Sequence, residues 1–230
     1  MNVAIVVAAG KSSRMKMGRS KQYLLLLGKP VLTHTLSVFE DCSAIDRVIL
    51  LVNSNDVEFC QKEIVEKHGF KKVLKVAEGG EKRQDSVYNG LCLLPPTAEI
   101  TLVHDGARPF VTSEILIKAI SSLEGWHGVV VGVPAKDTIK VVDNDKISKT
   151  LLRKNIWCAQ TPQVFLTSIL IEAYEKAKKD SFCGTDDSML VERLGYKVRM
   201  IMGSYDNIKI TTQEDLEVAE GILRKRGFTK

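Results

Sequence analysis

The residues whose types and spacing could do chemistry fall in short segments rich in cations and small residues. The first is Ala8-Ala9-Gly10-Lys11-Ser12-Ser13-Arg14-Met15, which follows an apolar run, with Lys21 seven residues after Arg14. Small residues let backbone N–H groups approach phosphate oxygens closely, and Arg and Lys add charge. Two commoner phosphate loops are excluded. A Walker A motif needs glycine at position 5, where Ile5 stands, and a dinucleotide fingerprint needs glycines where Ser12 and Met15 stand. A plain strand-to-helix loop with surface cations fits the same residues about as well. The second segment, Gly79-Gly80-Glu81-Lys82-Arg83-Gln84-Asp85-Ser86-Val87, pairs glycines ahead of a helical stretch. That favours close backbone approach to a ligand, although taken alone a flexible turn before a capped helix is the better account.

The third segment is His104-Asp105-Gly106-Ala107-Arg108-Pro109. Asp105 could accept from a sugar hydroxyl or touch Mg²⁺, and Arg108 could pair with a phosphate; the alternative is an Asp–Arg ion pair in a turn. His104 reads as a packed strand-end residue, since no second histidine stands at metal-ligand spacing. The fourth sets Thr138 and Lys140 on a ribbon with Arg153 beyond it, where ordinary polar alternation is the simpler account. In the fifth, Asp206-Asn207-Ile208-Lys209-Ile210-Thr211, one cation interrupts a short apolar strand. Burying a lysine stem needs a partner anion, and a ligand phosphate would serve. Asp186 and Asp187 after Thr185 read as a capped helix start with acids set against the dipole, in preference to a metal pair.

These segments need strands and helices to bring them together. Val3–Val7, Val48–Val52, Val73–Val76, Ile100–Val103 and Val129–Val133 predict strands, and Val31–Glu40, Glu58–Lys67, Gln84–Leu94 and Glu114–Leu123 have helical spacing. Pro30 suits a first helical turn, and Thr112 can cap the helix after it. The alternation implies an α/β fold with a mainly parallel sheet, helices on both faces and ligands outside the carboxyl ends of the strands. The second half departs from this. Thr138–Val142 and Ile147–Leu151 flank Asp143-Asn144-Asp145 and predict a hairpin, marginal alone and so expected to pack on something, such as another subunit. Helical stretches Leu166–Lys179 and Asp186–Leu194, strands Lys197–Met202 and Ile208–Ile210, and a closing helix boxed by Thr211 and Glu214 complete the chain. No repeat or linker interrupts it, so one domain over residues 1–230 is expected, with an arm at about 136–155.

Composition narrows the function classes. The 230 residues are 44% hydrophobic and 27% charged, values of a globular chain. No apolar run reaches the roughly 20 residues of a membrane span, and the start lacks a basic leader segment. Five scattered cysteines form no CxxC pair, which disfavours zinc and suits a reducing cytoplasmic compartment. The net charge of +5 suits an anionic ligand. Basic runs without interleaved aromatics argue for solvated surface and against nucleic acid.

Each motif is weak singly, but six stand in one order: AAGKSSRM with the later SKQY, GGEKRQDSV, HDGARPF, DTIK, RKNIWCAQTPQ and DNIKIT. Over nearly its whole length the chain thereby resembles the 2-C-methyl-D-erythritol 4-phosphate cytidylyltransferases of the non-mevalonate isoprenoid pathway. The resemblance implies a Rossmann-like nucleotidyltransferase three-layer sandwich with a protruding β-arm. It also implies Mg²⁺-dependent transfer of CMP from CTP to a polyol phosphate, and a homodimer that exchanges the arm. By position, Arg14 and Lys21 match the pair that stabilises the transition state, and Arg153 and Lys209 the pair that positions the acceptor phosphate. Ala8, Ala9, Gly10, Gly80, Glu81 and Ser86 match nucleotide-binding positions. Asp105, Arg108, Thr138 and Thr161 match positions around the acceptor polyol and ribose, Thr138 and Arg153 coming from the partner's arm. Three residues depart from the usual pattern: Ser12 for glycine, Ser20 for proline and Glu81 for aspartate. Ser12 puts the loop's backbone contacts to the triphosphate in question, while the cations are intact. A ribitol 5-phosphate cytidylyltransferase is the nearest rival, and DTIK and WCAQTPQ lean toward methylerythritol phosphate. A non-catalytic CTP-binding regulator would release no pyrophosphate; an NAD-dependent dehydrogenase is disfavoured by the failed glycine fingerprint.

Overall fold

A computed structural model describes residues 1–10 and 21–227. The strands are β1 (Asn2–Val7), β2 (Leu25–Leu26), β3 (Lys29–Pro30), β4 (Arg47–Val52), β5 (Val73–Glu78), β6 (Ile100–Asp105), β7 (Gly128–Pro134), β8 (Lys140–Asp143), β9 (Lys146–Thr150), β10 (Trp157–Leu166) and β11 (Val198–Met202). The helices are α1 (Val31–Asp41), α2 (Val57–Phe59, continuing as a π-turn over Cys60–Glu66), α3 (Arg83–Leu91), α4 (Ser113–Ser121), α5 (Thr167–Lys179), α6 (Asp187–Arg193) and α7 (Gln213–Lys225).

Seven strands form one sheet in the order β11-β7-β10-β6-β1-β4-β5. Only β10 runs antiparallel to its neighbours. Central strands covered on both faces should be apolar throughout, and β1 is so from Val3 to Val7. Ala4 and Val6 pack under α1 and α4 with Leu36, Phe39 and Leu116, while Val3 and Ile5 pack under α3, α5 and α6 with Val87, Leu170 and Val191. This is the expected three-layer α/β sandwich. A smaller cluster of Leu26, Val31, Phe110 and Ile210 seats α7 through Ala219 and Leu223.

Several elements differ from the sequence-based expectation, the short unpredicted β2–β3 pair among them. β10 was not anticipated: it carries Pro162, which normally argues against an interior strand. Its register with β7 breaks between Ala159 and Gln163, so the proline falls where no ladder bond is needed. Ile208–Ile210 forms no strand; its main-chain ties are Ile208 N–H to the Asp206 carbonyl, 2.8 Å, and Ile210 N–H to the Ala107 carbonyl, 2.9 Å. The box closing α7 uses Thr212 and Asp215, one residue beyond Thr211 and Glu214. The Asp215 carboxylate also accepts from the Thr211 and Thr212 N–H groups, which fixes that frame. The expected helix over Glu58–Lys67 is wound mostly as a π-turn. The β8–β9 hairpin matches its prediction, with Asn144 and Asp145 at positive φ in the two-residue turn. Both its strands are exposed, apolar Val142 (56%) and Ile147 (58%) included.

Candidate active site

The loops that leave the carboxyl ends of β1, β5 and β6 meet in one cleft. Its walls include Val7 to Gly10, Gly80 to Arg83, Ser86, Asp105 and Lys209. Parallel pairing creates this convergence, because Val7 of β1 stands beside Asp105 of β6 and both chains turn out of the sheet at that edge. The β1 and β5 loops nearly touch. A Cβ on Gly79 would lie 2.3 Å from the Ala9 Cβ and 2.8 Å from Ser86 Oγ, so only glycine allows this approach. Ser86 Oγ accepts from Gly80 N–H (3.0 Å) and donates to the Lys82 carbonyl (3.1 Å), shaping the glycine turn over α3. Gln22, buried under the cleft, donates its amide to the Ala8 carbonyl.

Asp105 sits on the cleft floor among three cations. Arg83 Nε donates to Oδ1 at 3.0 Å, Lys209 Nζ lies 2.8 Å from Oδ2 and Arg108 Nε 3.5 Å from the same oxygen. Burial alone would raise the carboxyl; Arg83, Lys209 and Arg108 outweigh it and hold the group well below the ordinary carboxylate range. Lys209 reaches Asp105 because Ile208 and Ile210 turn the other way, toward α7. The sequence-based alternative of an Asp105–Arg108 ion pair is thus also present. Arg108 is mostly buried and donates Nη1 to the Asn207 carbonyl at 2.9 Å.

Sequence reasoning missed Arg83 and Asp187. Arg83 spends Nη1 and Nη2 on a fork to the Asp187 carboxylate, at 2.9 and 2.8 Å, while its Nε holds Asp105. Asp187 is fully buried and also accepts from the Tyr174 hydroxyl at 2.5 Å. Burial opposes the charge on Arg83, yet Asp187 and Asp105 raise its pKa well above the ordinary value. Asp186 does cap α6, as expected, by accepting from Met189 N–H. The signal for Arg83 was its place in GGEKRQDSV; nothing local marks Asp187 as facing inward.

Thr161 lies beneath the cleft floor, 4% exposed. Its Oγ1 accepts from Asp105 N–H (3.1 Å) and is 3.0 Å from His104 Nδ1, while His104 Nε2 is 3.1 Å from the Arg108 carbonyl. His104 is therefore packed at the strand end, as its sequence context predicts. Burial pushes its imidazole down to about 4. Between that value and about 6.5, the unfolded chain binds a proton that the folded one does not, so stability rises with pH there and is lost as pH falls. The unfolding free energy, followed by urea titration, is expected to drop on the order of 3 kcal/mol from pH 6.5 to 4 through this residue. His104→Gln should flatten that slope.

Thr138 and Arg153 are exposed at the base of the arm, and Arg153 Nη1 donates to the Lys136 carbonyl at 2.8 Å. Neither is among the residues that line this cleft. Arg14, Ser12 and Ser20 lie outside the described residues. Lys21 opens a 3₁₀ turn, Lys21–Tyr23, and its side chain is likewise outside the description. Among the described residues no group of three or more His, Cys, Asp or Glu forms a metal cluster, and no helix is long and apolar enough to cross a membrane.

Residues 2–225 match the family model described as IspD, 2-C-methyl-D-erythritol 4-phosphate cytidylyltransferase. A curated protein of that name from Caldanaerobacter subterraneus subsp. tengcongensis is 48% identical over 227 residues, covering 98% of this chain and 100% of the relative. Another from Geobacter metallireducens is 45% identical, covering 97% of each. Among solved structures, 4-diphosphocytidyl-2C-methyl-D-erythritol synthase from Anaerococcus prevotii superposes with a TM-score of 0.86 at 34% identity, covering 97% of this chain and 98% of that one.

Proposed function

From the chain's membership of the 2-C-methyl-D-erythritol 4-phosphate cytidylyltransferase family, which the match over residues 2–225 and near-full-length relatives establish, we propose how its cleft works. The activity is transfer of CMP from CTP to 2-C-methyl-D-erythritol 4-phosphate, yielding 4-diphosphocytidyl-2-C-methyl-D-erythritol and pyrophosphate in isoprenoid precursor synthesis. CTP lies along Ala8, Ala9 and Gly10 with its nucleoside toward Gly80, Glu81 and Ser86. The acceptor's phosphate oxygen attacks the α-phosphorus in line with the departing pyrophosphate. That oxygen is already anionic at neutral pH, so no general base is needed. The obstacle is the meeting of two polyanions. Arg14 and Lys21 stabilise the charge that builds at the α-phosphate. Lys209, with Arg153 from a second subunit's arm, holds the acceptor phosphate. Asp105 and Arg108, with Thr138 of that arm, orient the hydroxyls; Thr161 serves from beneath by fixing Asp105.

The observation that carries this reading is the cation Lys209, held at the floor of the same cleft that the Ala8–Gly10 and Gly80 loops enclose. The donor set fits a magnesium ion held mainly by substrate phosphates. Two carboxylates line the cleft among the described residues, Asp105 on the floor and Glu81 on the wall, and Mg²⁺ commonly takes one or two carboxylates with the rest from phosphate and water. When bound, such an ion supplies further neutralisation of the triphosphate. The exposed apolar side chains of the hairpin, Val141, Val142 and Ile147, support a homodimer in which the arms are exchanged. The chain is read as one domain working in the cytoplasm.

The test is pyrophosphate release by the pure protein with CTP and Mg²⁺, with methylerythritol 4-phosphate compared against ribitol 5-phosphate. Turnover is expected with the first and little with the second. The reverse preference would move the assignment to the ribitol enzyme, and CTP binding without pyrophosphate release would make the protein a regulator.

A further inference from the structure

We infer that His104 is a positioning residue for Asp105: a buried imidazole that, through Thr161 on one side and the Arg108 carbonyl on the other, fixes the turn from which the carboxylate enters the cleft. This rests on the role of Asp105 given above. A carbonyl oxygen only accepts, so the 3.1 Å contact to Arg108 requires the proton on Nε2. Nδ1 of the neutral ring then carries a lone pair, and the Thr161 hydroxyl, 3.0 Å away, must donate to it. Thr161 Oγ1 in turn accepts from the Asp105 N–H. The result is a one-directional relay from Asp105 N–H through the Thr161 hydroxyl and the imidazole to the Arg108 carbonyl, closing a loop around residues 105–108.

The surroundings preserve that tautomer. His104 is 0% exposed, and Phe39 covers its ring at 5.1 Å between centroids. Among charged neighbours, Arg108 and Arg83 oppose a protonated ring and Asp105 favours it; burial dominates all three. A proton on Nδ1 would face the Thr161 hydroxyl and force it to abandon its donor role. The relay also reaches the acceptor side of the cleft. The Thr161 carbonyl accepts from Asn207 Nδ2 (2.9 Å), and the Asn207 carbonyl accepts from Arg108, two residues before Lys209. One buried ring thus sets the relative placement of Asp105 and Arg108 and braces the segment carrying Lys209.

The test is a set of variants of the full-length enzyme assayed for pyrophosphate release. His104→Phe keeps the ring volume and is expected to lower kcat on the order of 10–10²-fold through misplacement alone. Thr161→Val should do the same, and the double variant should be no more than about threefold worse than the worse single, because the two act as one unit. In an Asp105→Asn background, His104→Phe should cost less than about threefold, since the group it positions is gone. A full, additive loss in that background overturns the relay while leaving the role of Asp105 intact. Near-native turnover by Asp105→Asn alone overturns both. Should His104→Phe fail to fold, nitrogen-15 spectra of histidine-labelled native enzyme decide: Nε2 protonated and Nδ1 bare from pH 7 to 5 is expected, assigned by the signal lost in His104→Gln. A proton on Nδ1, or titration near the ordinary histidine value, overturns the inference.

Discussion

Lys209→Ala is expected to lower kcat/KM by on the order of 10²–10³, the scale for removing one preorganised donor from a charge-developing site. The loss should fall on the acceptor: KM for the polyol phosphate rises and kcat falls, while KM for CTP changes little. Stability should change far less. The side chain is 35% exposed, and Asp105 keeps Arg83 and Arg108 as counter-ions when Lys209 leaves. Because no buried charge is left unpaired, the cost should be on the order of 1 kcal/mol, and thermal unfolding should shift by only a few degrees. Steady-state kinetics with each substrate varied in turn, alongside a melting curve, separates the two effects. Near-native kcat/KM in a folded Lys209→Ala enzyme would remove Lys209 from the mechanism.

Lys209 also shows what a sequence can disclose about a site. A lysine between two isoleucines announces a charge held against an apolar wall, and the structure supplies the expected anion as Asp105. The strand predicted there is absent, yet alternation alone aims Ile210 at α7 and Lys209 at the cleft. The glycine pair was legible for a similar reason: close approach demands missing side chains, and Gly79 lies against Ala9 and Ser86. β10 was illegible because its proline is excused by a register break that exists only once β7 lies beside it. The one-residue slip at α7 arose because Thr211 and Thr212 each precede an acid by three, and only the hydrogen bonds of the folded chain choose between them: the Thr211 and Thr212 N–H groups both donate to the Asp215 carboxylate, and the Asp215 N–H donates to Thr212 Oγ1.

Arg83 and Asp187 lie 104 residues apart in the chain, so no local pattern could pair them, and their coupling yields the largest expected loss of stability. Asp187→Ala leaves the Arg83 fork and the Tyr174 hydroxyl without an acceptor at a position that is 0% exposed. Breaking one side of a buried pair costs about 3–5 kcal/mol, because the surviving charge stays desolvated. Arg83 retains 28% exposure, so water reaches one edge, and a value near the lower end, about 3 kcal/mol, is expected. For a chain of this size that lowers Tm by roughly 6–12 °C. Replacing both partners, as Arg83→Met with Asp187→Leu, removes the stranded charge and should recover part of the loss. The double variant should nonetheless turn over poorly, since Arg83 Nε no longer holds Asp105. Chemical denaturation of the native, single and double variants measures the cycle. A single Asp187→Ala within about 0.5 kcal/mol of native, the scale of an ordinary surface change, would mean that the fork contributes nothing and that Arg83 is held by Asp105 alone.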